Sequence, residues 1–336
     1  MTTLLLAMES GLLLVRGEAG GWGSEEHLRD IAPQCLAIDP SHPQRGYVGT
    51  ADQGVWRSAD GGRAWSAAGD GLHDRDVTAI AVAPAGGGRP GVLYAGTEPS
   101  ALLRSRDGGD SWVELRGLNA LPSAPTWSFP PRPETHHVRW VGIDPIHPAH
   151  LYVAIEAGAL VRSRDGGETW LDRVQSGPYD THTLALHPDA PGRLHSAAGD
   201  GYFESRDGGD SWQVFDRGLR HGYLFGVAVL PADPDTVLIS AASGPYRAYA
   251  ARSAESFIYR KQGSGSWEPV SRGLPDPGGT TISSFATHGG EPQVVYAANN
   301  RGIFRSGDGG STWDQVDVDW PKEFLSESVQ GFVAVD

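Results

Sequence analysis

Ser205–Trp212 reads SRDGGDSW, and the same eight letters stand at Ser105–Trp112. Near copies occupy Ser58–Trp65 (SADGGRAW), Ser163–Trp170 (SRDGGETW) and Ser306–Trp313 (SGDGGSTW). Two worn copies end at Trp22 (GLLLVRGEAGGW) and Trp267 (YRKQGSGSW), which makes seven units. A recurring unit of this kind marks a solenoid, propeller or array. Each unit opens on an alternating apolar run, such as VTAIAVAP at 77–84 or THTLALHP at 181–188. A turn of Pro, Gly and His follows, then a strand such as GYVGT (46–50), a short loop, and a run such as GVWRS (54–58). The box leads into a last strand, for example WQVF at 212–215. Four short strands with turn residues between them form an antiparallel meander, the blade of a propeller.

The expected fold is therefore all-β: a seven-bladed β-propeller of four-stranded antiparallel blades, one domain over residues 1–336. VQGFVAVD (329–336) reads as a first strand and TTLLLAMES (2–10) as a second strand. One blade is then shared by residues 1–25 and 327–336, which hides the edges an open sheet would expose. In the boxes, Asp60, Asp107, Asp165, Asp207 and Asp308 are expected to accept backbone N–H groups within the turn between third and fourth strands. The glycines supply left-handed backbone, and each tryptophan can pack between blades. The boxes are turn staples rather than five active sites.

The chain carries 27 basic and 41 acidic residues, a net charge of −14. That balance repels nucleic acid and anionic membrane, and no Lys/Arg run offers a local exception. The only cysteine is Cys35, so no intrachain disulfide can form. The apolar start MTTLLLAMESGLLLV lacks a basic leader and is broken by Glu9, so it reads as two strands rather than a signal peptide. A cytoplasmic location is the expectation.

The box resembles the Asp-box, or bacterial neuraminidase repeat, of sialidases, sortilin-type receptors, xyloglucan hydrolases and a photosystem assembly factor. The resemblance spans nearly the whole chain and implies the propeller fold. It leaves activity open, because these relatives share the box and little chemistry. A sialidase would need three arginines around a carboxylate; Arg139, Arg247 and Arg301 can be drawn together, with Tyr223 or Tyr246 beside Glu156. The Arg-Ile-Pro motif that the family places in its first blade is absent from TTLLLAMESG (2–11), which argues against that activity.

Boxes and first-to-second turns belong on one face; second-to-third loops and blade connectors belong on the other, here called the mouth. Two insertions fall at the mouth, Arg116–His137 and Ser240–Phe257. Long ordered loops are often binding loops. His42, His147, His150, His187 and His288 lie in or beside opposite-face turns and read as turn chemistry. His27, His73, His136, His137, His182 and His221 lie where first strands begin, at the mouth. Asp76, His137, Asp180 and Tyr223 fall at one level, with Arg139 and His182 one step deeper. Mouth aromatics are Trp127, Phe129, Tyr179, Tyr223 and Tyr246; Trp140, on a first strand, is expected in the core.

Two readings follow. In the first, the mouth binds a small molecule or glycan and acts as a hydrolase or lyase. His182, Glu156, Asp180 and Tyr223 are then the catalytic candidates, and Arg139, Arg247, Glu98, Trp127 and Tyr246 the ligand-binding ones. Imidazole and carboxylate donors suit one divalent metal ion, with His137, His182 and His221 as candidate ligands. In the second, the propeller is a non-enzymatic assembly platform for a basic protein or peptide, held in a salt-dependent way.

Overall fold

The computed structural model describes residues 2–69, 71–72, 75–85 and 90–336. Seven antiparallel sheets follow one another along the chain. Blade 1 joins Val329–Val335 to Thr3–Met8, Gly11–Glu18 and Gly21–His27, so both chain ends meet in one sheet. Blade 2 contains Pro33–Ile38, Gly46–Thr50, Val55–Ser58 and Ser66–Ala67. Blade 3 contains Asp76–Ala83, Val92–Glu98, Leu102–Ser105 and Val113–Glu114. Blade 4 has Val138–Ile143, Leu151–Ile155 and Ala159–Ser163; its fourth position is a bridge between Arg162 and Leu171 rather than a strand. Blade 5 contains Thr181–Leu186, Leu194–Ala198, Gly201–Ser205 and Gln213–Val214. Blade 6 contains Tyr223–Leu230, Asp233–Ala242, Phe257–Gln262 and Glu268–Val270. Blade 7 contains Ser284–Ala286, Val295–Asn299, Gly302–Ser306 and Asp314–Gln315. First strands of successive blades touch in an unbroken circle around the axis.

The apolar core lies between blades. Trp65 packs with Leu5 and Leu14 of blade 1 and Leu36 and Val48 of blade 2. Trp212 does the same with Tyr152 of blade 4 and Phe203 of blade 5. Each box brings its tryptophan there by one hydrogen-bond pattern. In blade 5, the Ser205 hydroxyl donates to Asp207 Oδ1 at 2.8 Å and accepts from Gly209 N at 2.8 Å. Asp207 then accepts from Ser211 N at 2.9 Å and Ser211 Oγ at 2.6 Å. The Ser211 hydroxyl, with the Ser211 amide and the Ser205 hydroxyl, holds the Asp207 carboxyl down at about 2 against the opposing pull of burial. Gly209 sits at φ +85°, and a Cβ there would meet Arg162 Cδ of blade 4 at 2.9 Å. The left-handed backbone and the close neighbour both require glycine.

In blades 2, 3 and 4 the arginine just before the box serine latches the blade to the next; blade 5 has Glu204 at that position, and Arg305 of blade 7 pairs with Glu291 instead. Arg57 donates to Gly108 O (3.0 Å) and Asp110 (2.7 Å), Arg104 to Gly166 O (3.0 Å) and Glu168 (2.8 Å). Arg162 likewise reaches Gly208 O at 3.1 Å and Asp210 at 2.6 Å. With five boxes sharing the ring, no single one dominates. Asp207→Ala is expected to lower the unfolding free energy in urea by about 1–2 kcal/mol. A loss above about 4 kcal/mol would mean the box does more than close a turn.

No helix among the described residues is long and apolar enough to cross a membrane.

Candidate functional site

The mouth is built by a repeated irregularity. Six blades carry a register shift near the mouth end of their first strand, where two residues oppose one on the neighbouring strand. A bulge of this kind bends the strand and re-aims a side chain. The extra positions are Gln330 in blade 1, Gln34, Thr78, Arg139 and His182 in blades 2 to 5, and the Phe225–Gly226 pair in blade 6. Gln330, Gln34, Thr78, Arg139 and Phe225 line one axial cavity of about 290 Å³, together with Glu9, Phe129, His137, Glu156 and Tyr249.

Arg139 sits with its guanidinium 4.9 Å from the Phe225 ring centre and its Nε 3.4 Å from Glu156 Oε2. Among the described residues no hydrogen bond engages its two Nη groups. Glu156 is the hub of the ionic cluster. Its Oε2 lies 2.8 Å from His137 Nε2, and His137 Nδ1 lies 3.5 Å from Glu98. Burial pushes the Glu156 carboxyl up, but the His137 hydrogen bond and the nearby Arg139 and His182 outweigh it and bring it down to about 2. Asp180, which accepts the Ala157 amide at 2.8 Å, moves the other way. Burial and the Glu156 charge raise it against the pull of His182. Burial and Glu98 also push Asp76 up, to about 6.

His182 is fully buried. Its Nδ1 pairs with the Leu224 carbonyl at 2.5 Å, and its Nε2 faces Tyr223 Oη at 3.4 Å and Asp180 Oδ2 at 3.7 Å. Tyr223 Oη is 2.6 Å from Tyr249 Oη. The insertion 116–137 is strapped over this side by Arg132, which reaches Glu98 at 2.6 Å, while Phe129 packs edge-on against His137.

The structure thus brings together His137, Arg139, Glu156, Asp180, His182 and Tyr223, with Glu98 beside them. Other expected residues go elsewhere. His221 stacks on Phe257 at 4.0 Å and pairs with Tyr259 at 2.7 Å, on the third strand of blade 6. Among the described residues, the donor cluster at the mouth is Glu156, Asp180 and His182, to which neither His137 nor His221 belongs. Arg247 turns back to the Ser253 carbonyl at 3.2 Å, and Tyr246 is 89% exposed. The two tryptophans exchange their expected environments: Trp127 is buried against Leu118 and Ile155, whereas Trp140, following the Arg139 bulge, is 36% exposed. His73 lies outside the described residues. Phe225, Gln34, Thr78 and Gln330 went unread because they reach the mouth through bulges, which leave no letter pattern of their own; Tyr249, also unread, reaches it from the loop between Ala242 and Phe257.

Asp-boxes on five of seven blades around a polar axial mouth define a propeller of the bacterial neuraminidase repeat class. The chain belongs to the family described as photosynthesis system II assembly factor YCF48, which matches residues 22–221. No curated protein matches it by sequence. Among solved structures it is similar to YCF48 bound to D1 peptide, at 18% identity and a TM-score of 0.59, covering 84% of this chain and 81% of that one. It is also similar to the GH74 xyloglucanase from Xanthomonas campestris, at 17% identity and a TM-score of 0.66, covering 94% and 54%. An ancestral GH74 enzyme matches at 16% identity and a TM-score of 0.63; this chain covers only 38% of its length. At these identities the likeness concerns the fold.

Proposed function

We propose that the chain is an assembly-type binding platform whose mouth takes a peptide segment of a partner protein. The open Arg139 guanidinium at the centre of the bulge ring carries this reading. A half-buried arginine with free Nη groups, backed by an aromatic ring, suits a carboxylate such as a peptide C-terminus or an acidic side chain. Gln34 and Gln330 donate to Asp76 and to the Ser328 carbonyl, which orients their amide oxygens to accept peptide N–H groups of the segment behind it. The surrounding acidic charge favours a segment with basic flanks. Family membership and the peptide-bound relative support the same reading.

A fluorescein-labelled, lysine-rich peptide with a free C-terminal carboxylate tests it by anisotropy. Arg139→Gln is expected to weaken binding by about tenfold or more, an effect reproduced on the unmodified protein by amidating the peptide C-terminus. Raising salt should weaken binding further. Equal affinities for both peptides and both proteins would remove the reading.

A second reading rests on one observation: Glu156 and Asp180 are pushed in opposite directions. Such a split is how two carboxylates divide base and acid roles. A hydrolase reading makes Glu156 the ionised group and Asp180 the proton donor, with any divalent ion held by Glu156, Asp180 and His182. Glycan turnover abolished by Asp180→Asn would favour it. The full burial of His182 counts against it.

A further inference from the structure

The turn between the first two strands of blade 4 holds a second donor cluster, on the face opposite the mouth. We propose that Asp144, His147 and His150 form a binding site for a divalent transition-metal ion. Their donor atoms all lie within 4.8 Å of one another. The His147 and His150 rings stand side by side, 5.0 Å between centres and 20° between planes.

The turn fixes this arrangement. Asp144 Oδ1 accepts Ile146 N at 2.8 Å and His147 N at 2.9 Å. The Asp144 amide donates to His150 O at 3.1 Å, and the His150 amide to His147 O at 2.7 Å. Asp144 is 4% exposed and lines a cavity of about 420 Å³. Among the described residues its Oδ2 accepts no hydrogen bond, which leaves one oxygen of this largely buried carboxylate open at the cavity.

The matching turn of blade 2 is an internal control. It reads DPSHPQR against DPIHPAH in blade 4. It shares two backbone bonds, Asp39 N to Arg45 O at 3.0 Å and Arg45 N to His42 O at 2.8 Å, whereas His42 N donates to the Asp39 carbonyl at 3.1 Å rather than to its side chain. There, however, Asp39 Oδ2 is taken by Gly91 N at 2.9 Å, and Arg45 stands where blade 4 has His150. Blade 4 alone of this pair therefore combines an open carboxylate oxygen with two imidazoles. Two imidazoles and one carboxylate suit borderline ions such as Zn²⁺ or Co²⁺ and leave coordination positions for water. Arg162 and Arg164 on the cavity wall are both paired with Asp210, at 2.6 and 3.1 Å, which offsets their charge.

The test is calorimetric titration of the untagged, chelator-stripped protein with Zn²⁺, followed by Co²⁺ absorption. The expected result is one equivalent of Zn²⁺ and a Co²⁺ visible band. Both should survive His182→Ala, and affinity should fall by about tenfold or more in His150→Arg, which installs the blade 2 residue in the same turn. His147→Gln should act likewise, with thermal unfolding of the metal-free variants confirming that they fold. Unchanged binding in both turn variants, binding lost only with His182→Ala, or no binding at all would overturn the assignment.

Discussion

Glu204→Gln is expected to lower the unfolding free energy by about 3–5 kcal/mol, the cost of breaking a buried ion pair from one side. Glu204 is 2% exposed between blades 5 and 6. Its Oε1 accepts from Arg193 Nε at 3.0 Å and Arg206 Nε at 2.9 Å, and its Oε2 lies 3.6 Å from Lys261 Nζ. Lys261 is 3% exposed and enclosed by the rings of Tyr202, Phe215 and Trp267, each about 5.5 Å away. Burial lowers the Lys261 ammonium from its ordinary range, and Glu204 opposes that shift. Without the carboxylate, Lys261 remains buried with less compensation, and blade 6 loses one of its ionic ties to blade 5, the Arg193–Asp235 pair at 2.6 Å remaining. Urea unfolding measures the loss. Glu204→Gln/Lys261→Met should recover part of it, because removing the second charge removes the unpaired one. A single-variant loss below about 1 kcal/mol would show that the cluster is not a structural tie.

That tie shows where sequence legibility ended. The boxes were readable because a turn needs particular residues at particular spacings: Asp207 for its acceptors, Gly209 for φ, Trp212 for the blade seam. Ring closure was readable from the apolar alternation of 329–336 and 2–10. Lys261 sits in YRKQGSGSW, the worn box, and nothing local says that its partner is Glu204 on the previous blade. The site divides the same way. Strand position placed His137, Arg139, Asp180, His182 and Tyr223 at one end of their blades, and the structure gathers them there. Which side each residue faces depends on bulges such as that at Arg139, which pairing register creates and sequence period does not announce. Trp127 was drawn into the core by the 3₁₀ turns Leu118–Ala120 and Ala124–Thr126 of its own insertion. Such tertiary packing overrides a reading based on loop position.

Glu156→Gln should change both stability and binding, and in opposite senses. A carboxyl brought from its ordinary 4.5 to about 2 by folding contributes about 3 kcal/mol of stability once it is ionised in both states. Because the folded value is the lower one, this contribution is complete above pH 4.5 and disappears as pH falls toward 2. The native protein should therefore lose about 3 kcal/mol more than Glu156→Gln across that window, and the two stability curves should converge in acid. Parallel curves would mean that Glu156 is not preferentially ionised in the folded state. Glutamine can still accept from His137 Nε2, so the substitution removes the charge and leaves the hydrogen bond in place. It also releases Arg139 from its ionic partner among the described residues. The carboxylate-terminated peptide should then bind more tightly to Glu156→Gln at neutral pH, the reverse of Arg139→Gln. A hydrolase that needs Glu156 ionised predicts loss of turnover in the same variant. One substitution thus separates a platform, which gains affinity, from an enzyme, which loses its base.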